Sequence, residues 1–400
     1  MSNIILPKRS LYYRPSDAAY AGQLSDEFED EKLNIEAAFV DSEASLGSGL
    51  AAGESVILSR VYPNTDLEDG GYEPIEDYND SDSQVEVASA LWGANRRYGM
   101  GIVEYQGYLW LLGGLDNTGT TESSDVWRSS DGTNWTLVTN VPGWAGRGCF
   151  VHGVLDNKIV IAGGRTYAGA FYRDVWTMSW TPPAPPVWAK VADPASWTTA
   201  SKSAFCVFDN ALWRIGSEGA DAKEVWKTDS GPNLGSVWTQ MADFPTSRQG
   251  AVAWASGGYM YAGLGFISTT VTAFDVWRTA DGSSWGSVTT TVPYGLAVDS
   301  SYPVLYDGHL LCCGGVFLGA LADFGYLRPG FSHGGFGWNR NNPWGVHPLP
   351  AAMLFNGRVW MFGTAFRNGV PVNTGDIWSM EPVKRPARDL QGFYMYRKSS

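Results

Sequence analysis

The sequence predicts an all-β protein: a six-bladed β-propeller closed by an N-terminal strand and preceded by a small helical or extended module. Three observations carry this prediction. First, DVWRSSDGTNW at 125–135 and DVWRTADGSSW at 275–285 are nearly the same eleven residues. Fainter copies of their acidic–apolar–aromatic triplet end at Trp176, Trp226 and Trp378, with DFGY ending at Tyr326, a period of about 50 residues. Second, an independent marker keeps that period: a turn-forming pair such as Gln106-Gly107, Asp156-Asn157 or Asn356-Gly357, followed by Gly113, Gly163, Gly216, Gly263, Gly314 or Gly363. Third, 48 Gly, 19 Trp, 19 Tyr and 17 Phe in 400 residues suit many short strands joined by tight turns.

Each period reads as one small antiparallel sheet. In YGMGIVEYQGYLWLLGG two apolar stretches flank a tight turn, the signal of a hairpin. A loop leads to a third strand, VWRSS, and the turn at Asp131-Gly132 leads to a fourth, WTLV. Such a unit repeated is the signature of propeller blades. The last period lacks a fourth strand, because Pro382, Lys384, Arg385 and Pro386 follow Trp378 closely. Residues 85–88, upstream of the first period, are expected to supply it and close the ring.

The remaining organisation follows in chain order. Residues 1–50 read as an attachment or oligomerisation segment, with a helix at about 25–45 that Ser25 caps and that carries Leu24, Phe28, Ile35, Phe39 and Leu46 on one stripe. Residues 51–84 form an acidic linker, 85–381 the propeller and 382–400 a C-terminal tail. Residues 1–24 lack the apolar core of a secretory signal, and no apolar run is long enough to span a bilayer, so synthesis in the cytoplasm without membrane insertion is expected. A formal net charge of −13 disfavours nucleic acid as a partner. Cys149, Cys206, Cys312 and Cys313 show no metal-ligand spacing and are expected to be buried free thiols.

RYGMGIVEYQGYLWLLGG (97–114), RGCFVHGVLDNKIVIAGG (147–164) and NGRVWMFG (356–363) resemble kelch repeats, with an Arg-led strand, a turn and a strand ending in paired Gly. Trp127 with Trp135, and Trp277 with Trp285, stand where that family places its later aromatic pair. The resemblance spans about residues 85–381 and departs from the pattern at Ser217, Leu264 and Thr364, which replace the second Gly. It implies that Arg97, Arg147 and Arg248, with His347 in the matching place of the sixth blade, face the mouth of the central channel. With Trp144 they form the candidate ligand site, suited to a carboxylate, a phosphate or an acidic sugar. The alternative is that carboxylates of neighbouring loops balance these cations.

Catalysis finds less support. SSDGTNW resembles the Asp-box of sialidases, which marks an outer hairpin remote from any catalytic centre, and no Tyr–Glu pair can be tied to the arginines. A glycan hydrolase is therefore the minority reading. His152, His309, His333 and His347 lack the paired spacing that a copper oxidase of the kelch type requires, so neither metal nor cofactor is expected. KLNIEAAF (32–39) resembles the helix near the N-termini of many bacteriophage tail-fibre and tailspike proteins. That resemblance implies a non-enzymatic virion tail component, possible as a homotrimer, whose N-terminal segment joins other tail proteins and whose propeller binds a host surface glycan or protein. An intracellular kelch-type adaptor is the competing class.

Overall fold

A computed structural model describes residues 4–7, 83–87, 97–116, 121–219, 222–268, 271–289, 302–306, 309–313, 316–317, 320–321, 324–327, 334–335, 351–363, 366–367, 370–371, 377–380 and 393–396. Among them every regular element is a strand. The helix expected at about 25–45, the linker up to residue 82 and His347 lie outside the described residues. By its internal contacts the chain divides into two units, Met1–Glu73 with Lys384–Ser400, and Pro74–Val383. In the first, Ile4–Pro7 pairs antiparallel with Phe393–Tyr396, so part of the expected C-terminal tail is a strand.

The second unit is a β-propeller. Its inner strands are Gly101–Tyr105, Val151–Leu155, Ala204–Phe208, Val252–Ser256, Tyr302–Tyr306 and Ala351–Phe355. Each contacts the next and the last contacts the first, which closes the ring of sheets. The sequence predicts six like blades of four strands; the structure has five four-stranded sheets, and the unit over residues 97–139 is a five-stranded sheet instead. Before Gly99, whose φ is +62°, Arg97–Tyr98 makes a two-residue ladder, where Gly148 and Gln249 of other sheets make single bridges with Arg165 and Phe266. Arg97–Tyr98 and Gly101–Tyr105 pair separately with the long strand Tyr108–Asp116.

Closure follows the sequence expectation. Ser83–Val87 pairs antiparallel with Ile377–Met380 and becomes the outer strand of the sheet that also holds Arg358–Phe362 and Ala351–Phe355. Two distant parts of the chain thus complete one sheet of the ring and cover the edge of Ile377–Met380.

The repeated residues have repeated tasks. In three sheets the ladder is shifted between Val126 and Trp127, Val175 and Trp176, and Val276 and Trp277. A bulge of this kind re-aims the side chain that follows it. At 129–135, Ser129 Oγ accepts the Gly132 N–H and Asp131 accepts the N–H groups of Thr133 and Asn134, which fixes the turn before Trp135. The same device recurs at Thr279, Gly282 and Asp281. Gly132 lies against Trp360 of the closing sheet, where a Cβ would fall 2.4 Å from the indole, so the turn also forms part of an inter-sheet joint.

One expected marker shifts by a residue. Gly163 and Gly216 take left-handed φ values and donate to Asp174 and Glu224, but in the next sheet Leu264, with φ +60°, occupies that place and donates to Asp275. Gly263 instead ends the strand Tyr259–Gly263. A second Gly is dispensable because its task belongs to the backbone: the N–H groups of Gly114, Gly164 and Ser217 all donate to the following sheet.

Between sheets the packing is aromatic. Trp110, Trp197 and Trp213 are almost fully buried. Each such ring removes about 150–250 Å² from water, contributing about 4–6 kcal/mol as an upper estimate. Trp110, Trp213 and Trp360 hold one equivalent position, each donating Nε1–H to the carbonyl five residues earlier at the end of its inner strand.

Candidate functional site

Arg97, Arg147 and Arg248 are buried just before the inner strands Gly101–Tyr105, Val151–Leu155 and Val252–Ser256, and each meets a carboxylate of its own sheet. Arg97 pairs with Asp125, Arg147 with Asp174 and Arg248 with Asp275. The Arg147 pair is bidentate at 2.5 and 3.0 Å, and the same guanidinium donates to the carbonyls of Ala145 and Gly163, each at 3.0 Å. The acid in every case is the first residue of the D-V-W triplet. Two residues on, the re-aimed indole donates to that carboxylate: Trp127 to Asp125, Trp176 to Asp174 and Trp277 to Asp275, at 2.9, 2.7 and 2.8 Å.

Burial alone would raise the Asp125 carboxyl. The hydrogen bond and charge of Arg97 outweigh it and hold the group below its ordinary value, with Ser123 and Trp127 adding to the effect. Asp174 follows the same logic with Arg147. The arrangement is a repeated Arg–Asp–Trp clamp that ties the start of an inner strand to the third strand of its sheet.

Trp144 is also internal. It is 3% exposed and packs edge-on against Trp188 and tilted against Phe150. The structure therefore joins the three predicted arginines to carboxylates and Trp144 to the core, and brings none of them to the cavity described next.

A cavity of about 500 Å³ runs along the propeller axis between the inner strands. One end is a collar of peptide groups. Gly99, Cys149, Lys202 and Gly250 occupy equivalent positions with φ between +48° and +62°. Cys149 N–H donates to Gly99 O, Lys202 N–H to Cys149 O and Gly250 N–H to Lys202 O, at 2.7, 3.1 and 2.7 Å. Left-handed φ is unfavourable for Cys and Lys, and they are held there by these bonds.

Within the cavity His152 reaches Tyr302, 150 residues away, with Nε2 2.7 Å from the phenol oxygen. The Ile102 N–H also points to Nε2, at 3.2 Å, so Nε2 is the unprotonated acceptor. Nδ1–H then donates to Phe150 O at 3.2 Å. Burial drives the His152 pKa down to about 4, against two backbone hydrogen bonds that act the other way, and it pushes the Tyr302 phenol up. Both groups are neutral at physiological pH. Phe205 packs on the imidazole at 4.4 Å between centroids, so this layer is an aromatic floor.

Further along the inner strands the wall changes. Glu104, Val154, Val207, Ala255 and Leu305 line the far mouth, where Glu104, Val207 and Leu305 are exposed. At the floor's edge Ser203 Oγ is buried and has no hydrogen-bond partner among the described residues. Cys149 and Cys206 also line the cavity as free thiols of intermediate burial. Burial pushes Cys206 up to about 12, so it is a protonated, unreactive thiol. Among the described residues no cluster of three or more His, Cys, Asp or Glu could hold a metal ion.

Sequence reasoning allowed for carboxylates balancing the arginines without identifying them, and it missed the cavity. The carboxylate partners carried a signal: Asp125, Asp174 and Asp275 follow their arginines by 28, 27 and 27 residues. The cavity lining carried little, since its residues differ from sheet to sheet. The chain matches no protein-family model and no curated protein, and its β-propeller is established by the sheet topology itself.

Proposed function

We propose that this chain is a non-enzymatic recognition protein: a virion tail component, a tail fibre or receptor-binding protein, whose kelch-like propeller attaches to a host surface glycan or protein. One observation carries the recognition half, a central cavity of about 500 Å³ within the size range of small-molecule sites, about 300–1,000 Å³. The groups around it favour binding over catalysis. The arginines hold strands together, His152 is neutral and saturated with hydrogen bonds, and the Cys206 thiol is protonated. The virion half rests on the resemblance of residues 32–39 to tail-fibre and tailspike helices.

The test is direct. Negative-stain imaging of purified particles with an antibody against residues 1–50 should label tails, and the purified chain should bind the surface of the cells those particles infect. Labelling confined to a cytosolic protein of the producing cell would support the intracellular adaptor instead. Release of reducing sugar from a surface glycan would support the hydrolase.

A further inference from the structure

The polar groups around the cavity are unevenly spent. Lys202 lines the cavity at its collar end, and the arginines close to that end are engaged: Arg147 and Arg248 with carboxylates of their sheets, and Arg165 with Glu218 at 3.3 Å. The His152–Tyr302 floor has no donor to spare, since the Nδ1–H and the phenol O–H have partners and Nε2 already accepts. The collar peptides bond one another. Toward the far mouth, by contrast, the wall offers Val154, Val207, Ala255 and Leu305, with the exposed carboxylate of Glu104 among them. Glu104 forms no ion pair or hydrogen bond through its carboxylate among the described residues.

We infer that this mouth binds a small organic amine tail first, with its apolar body on the aromatic floor and its ammonium group against Glu104. The physical case has three parts. An apolar socket already desolvated on several sides strengthens a charge pair at its rim relative to one in open water. Exposed Val207 and Leu305, at 39% and 37%, regain burial when an alkyl or aryl body covers them. The net charge of −13 attracts cations to the molecule and disfavours the anions that the arginines first suggested. The inference deepens the recognition reading by naming the ligand class of the same cavity, but it needs no particular host.

The test is titration calorimetry of the full chain with hexylammonium chloride, hexan-1-ol and sodium hexanoate at pH 7 in low salt. Hexylammonium should bind, hexanol should bind at least about tenfold more weakly and hexanoate should give no heat. Glu104→Gln should weaken hexylammonium about tenfold while leaving hexanol unchanged, and Ala255→Trp, which fills the mouth, should abolish both. Equal affinity for hexylammonium and hexanol, or undiminished hexylammonium binding by Glu104→Gln, would overturn the inference. A melting temperature for each variant, expected within a few degrees of the parent, separates loss of the site from loss of the fold. Binding of the amine without attachment to cells leaves the ligand class standing and removes the host-surface reading; attachment without amine binding does the reverse.

Discussion

The strand starts and third strands of this propeller repeat, whereas the wall of its channel does not. Arg97, Arg147 and Arg248 meet Asp125, Asp174 and Asp275 in one pattern, and Trp127, Trp176 and Trp277 complete it. Equivalent positions along the channel hold Glu104, Val154, Val207, Ala255 and Leu305, which share no side-chain chemistry beyond being mostly apolar. Repetition follows where each sheet must solve the same structural problem. Departure from it follows where the sheets jointly face something else, so in this molecule the irregular layer is where recognition belongs.

The largest effect should come from breaking a clamp. Arg147 is fully buried, and Arg147→Ala leaves Asp174 uncompensated, a loss of about 3–5 kcal/mol. The double variant Arg147→Ala with Asp174→Ala removes both charges and should recover part of that loss, read as a coupling energy in urea melts. If instead Arg147→Ala folds as well as the parent and only weakens attachment, the clamp is a ligand site and the comparison fails. Arg97→Ala combined with Arg147→Ala should behave as a folding defect for the same reason.

Next is the floor. His152 has a folded pKa of about 4 against an ordinary 6.5, so between those values the unfolded chain holds a proton that the native state does not. The native state therefore loses stability as pH falls through that window, at about 1.4 kcal/mol per unit and about 3 kcal/mol in all. Above pH 6.5 the contribution is complete. Asp125 and Asp174, depressed by their arginines, add a loss only as pH falls below the ordinary carboxylate value near 3.8. Urea midpoints from pH 7 to 4.5 should decline in the parent and stay nearly flat in that window for His152→Gln. An equal decline in both would place the proton uptake elsewhere.

The contrast also explains what the sequence made legible. The period, the hairpin turns and the closing strand were readable because each depends on a local pattern: a turn pair, a D-V-W triplet, an apolar run before Arg97. The shift from Gly263 to Leu264 was not, because a left-handed φ is readily inferred from Gly and seldom from Leu. The arginines could be placed at strand starts, yet their partners lie 27 or 28 residues on, and only the fold decides whether Asp174 or a ligand reaches Arg147 first. Trp144 resembled a loop aromatic and is core because Trp188 and Phe150 enclose it. Glu104 was invisible for the opposite reason: a lone acid on an amphipathic strand usually means a solvated face, and only the closed ring turns that face into the wall of a cavity.

A smaller effect sharpens the clamp itself. Trp176→Phe keeps most of the ring but removes the N–H that reaches Asp174, whose carboxylate still holds both bonds from Arg147. The loss should be about 1–2 kcal/mol, one hydrogen bond to a charged acceptor plus trimmed packing. A loss matching that of Arg147→Ala would show that the indole, and not the ion pair, holds the strands together.

The smallest expected effect is the most discriminating. Glu104 is exposed and its carboxylate takes no part in the clamps or the floor, so Glu104→Gln should change stability by no more than about 0.5 kcal/mol. The same substitution is expected to weaken amine binding about tenfold, equivalent to about 1.4 kcal/mol. A residue of the repeated layer cannot behave this way, because removing its charge disturbs folding before it disturbs any ligand. Paired melts and titrations on Glu104→Gln and Arg147→Ala should thus separate cleanly, one losing the ligand and keeping the fold, the other losing stability. If Glu104→Gln costs as much stability as a clamp variant, the channel wall is structural like the rest of the sheet, and the division between repeated and irregular layers does not hold.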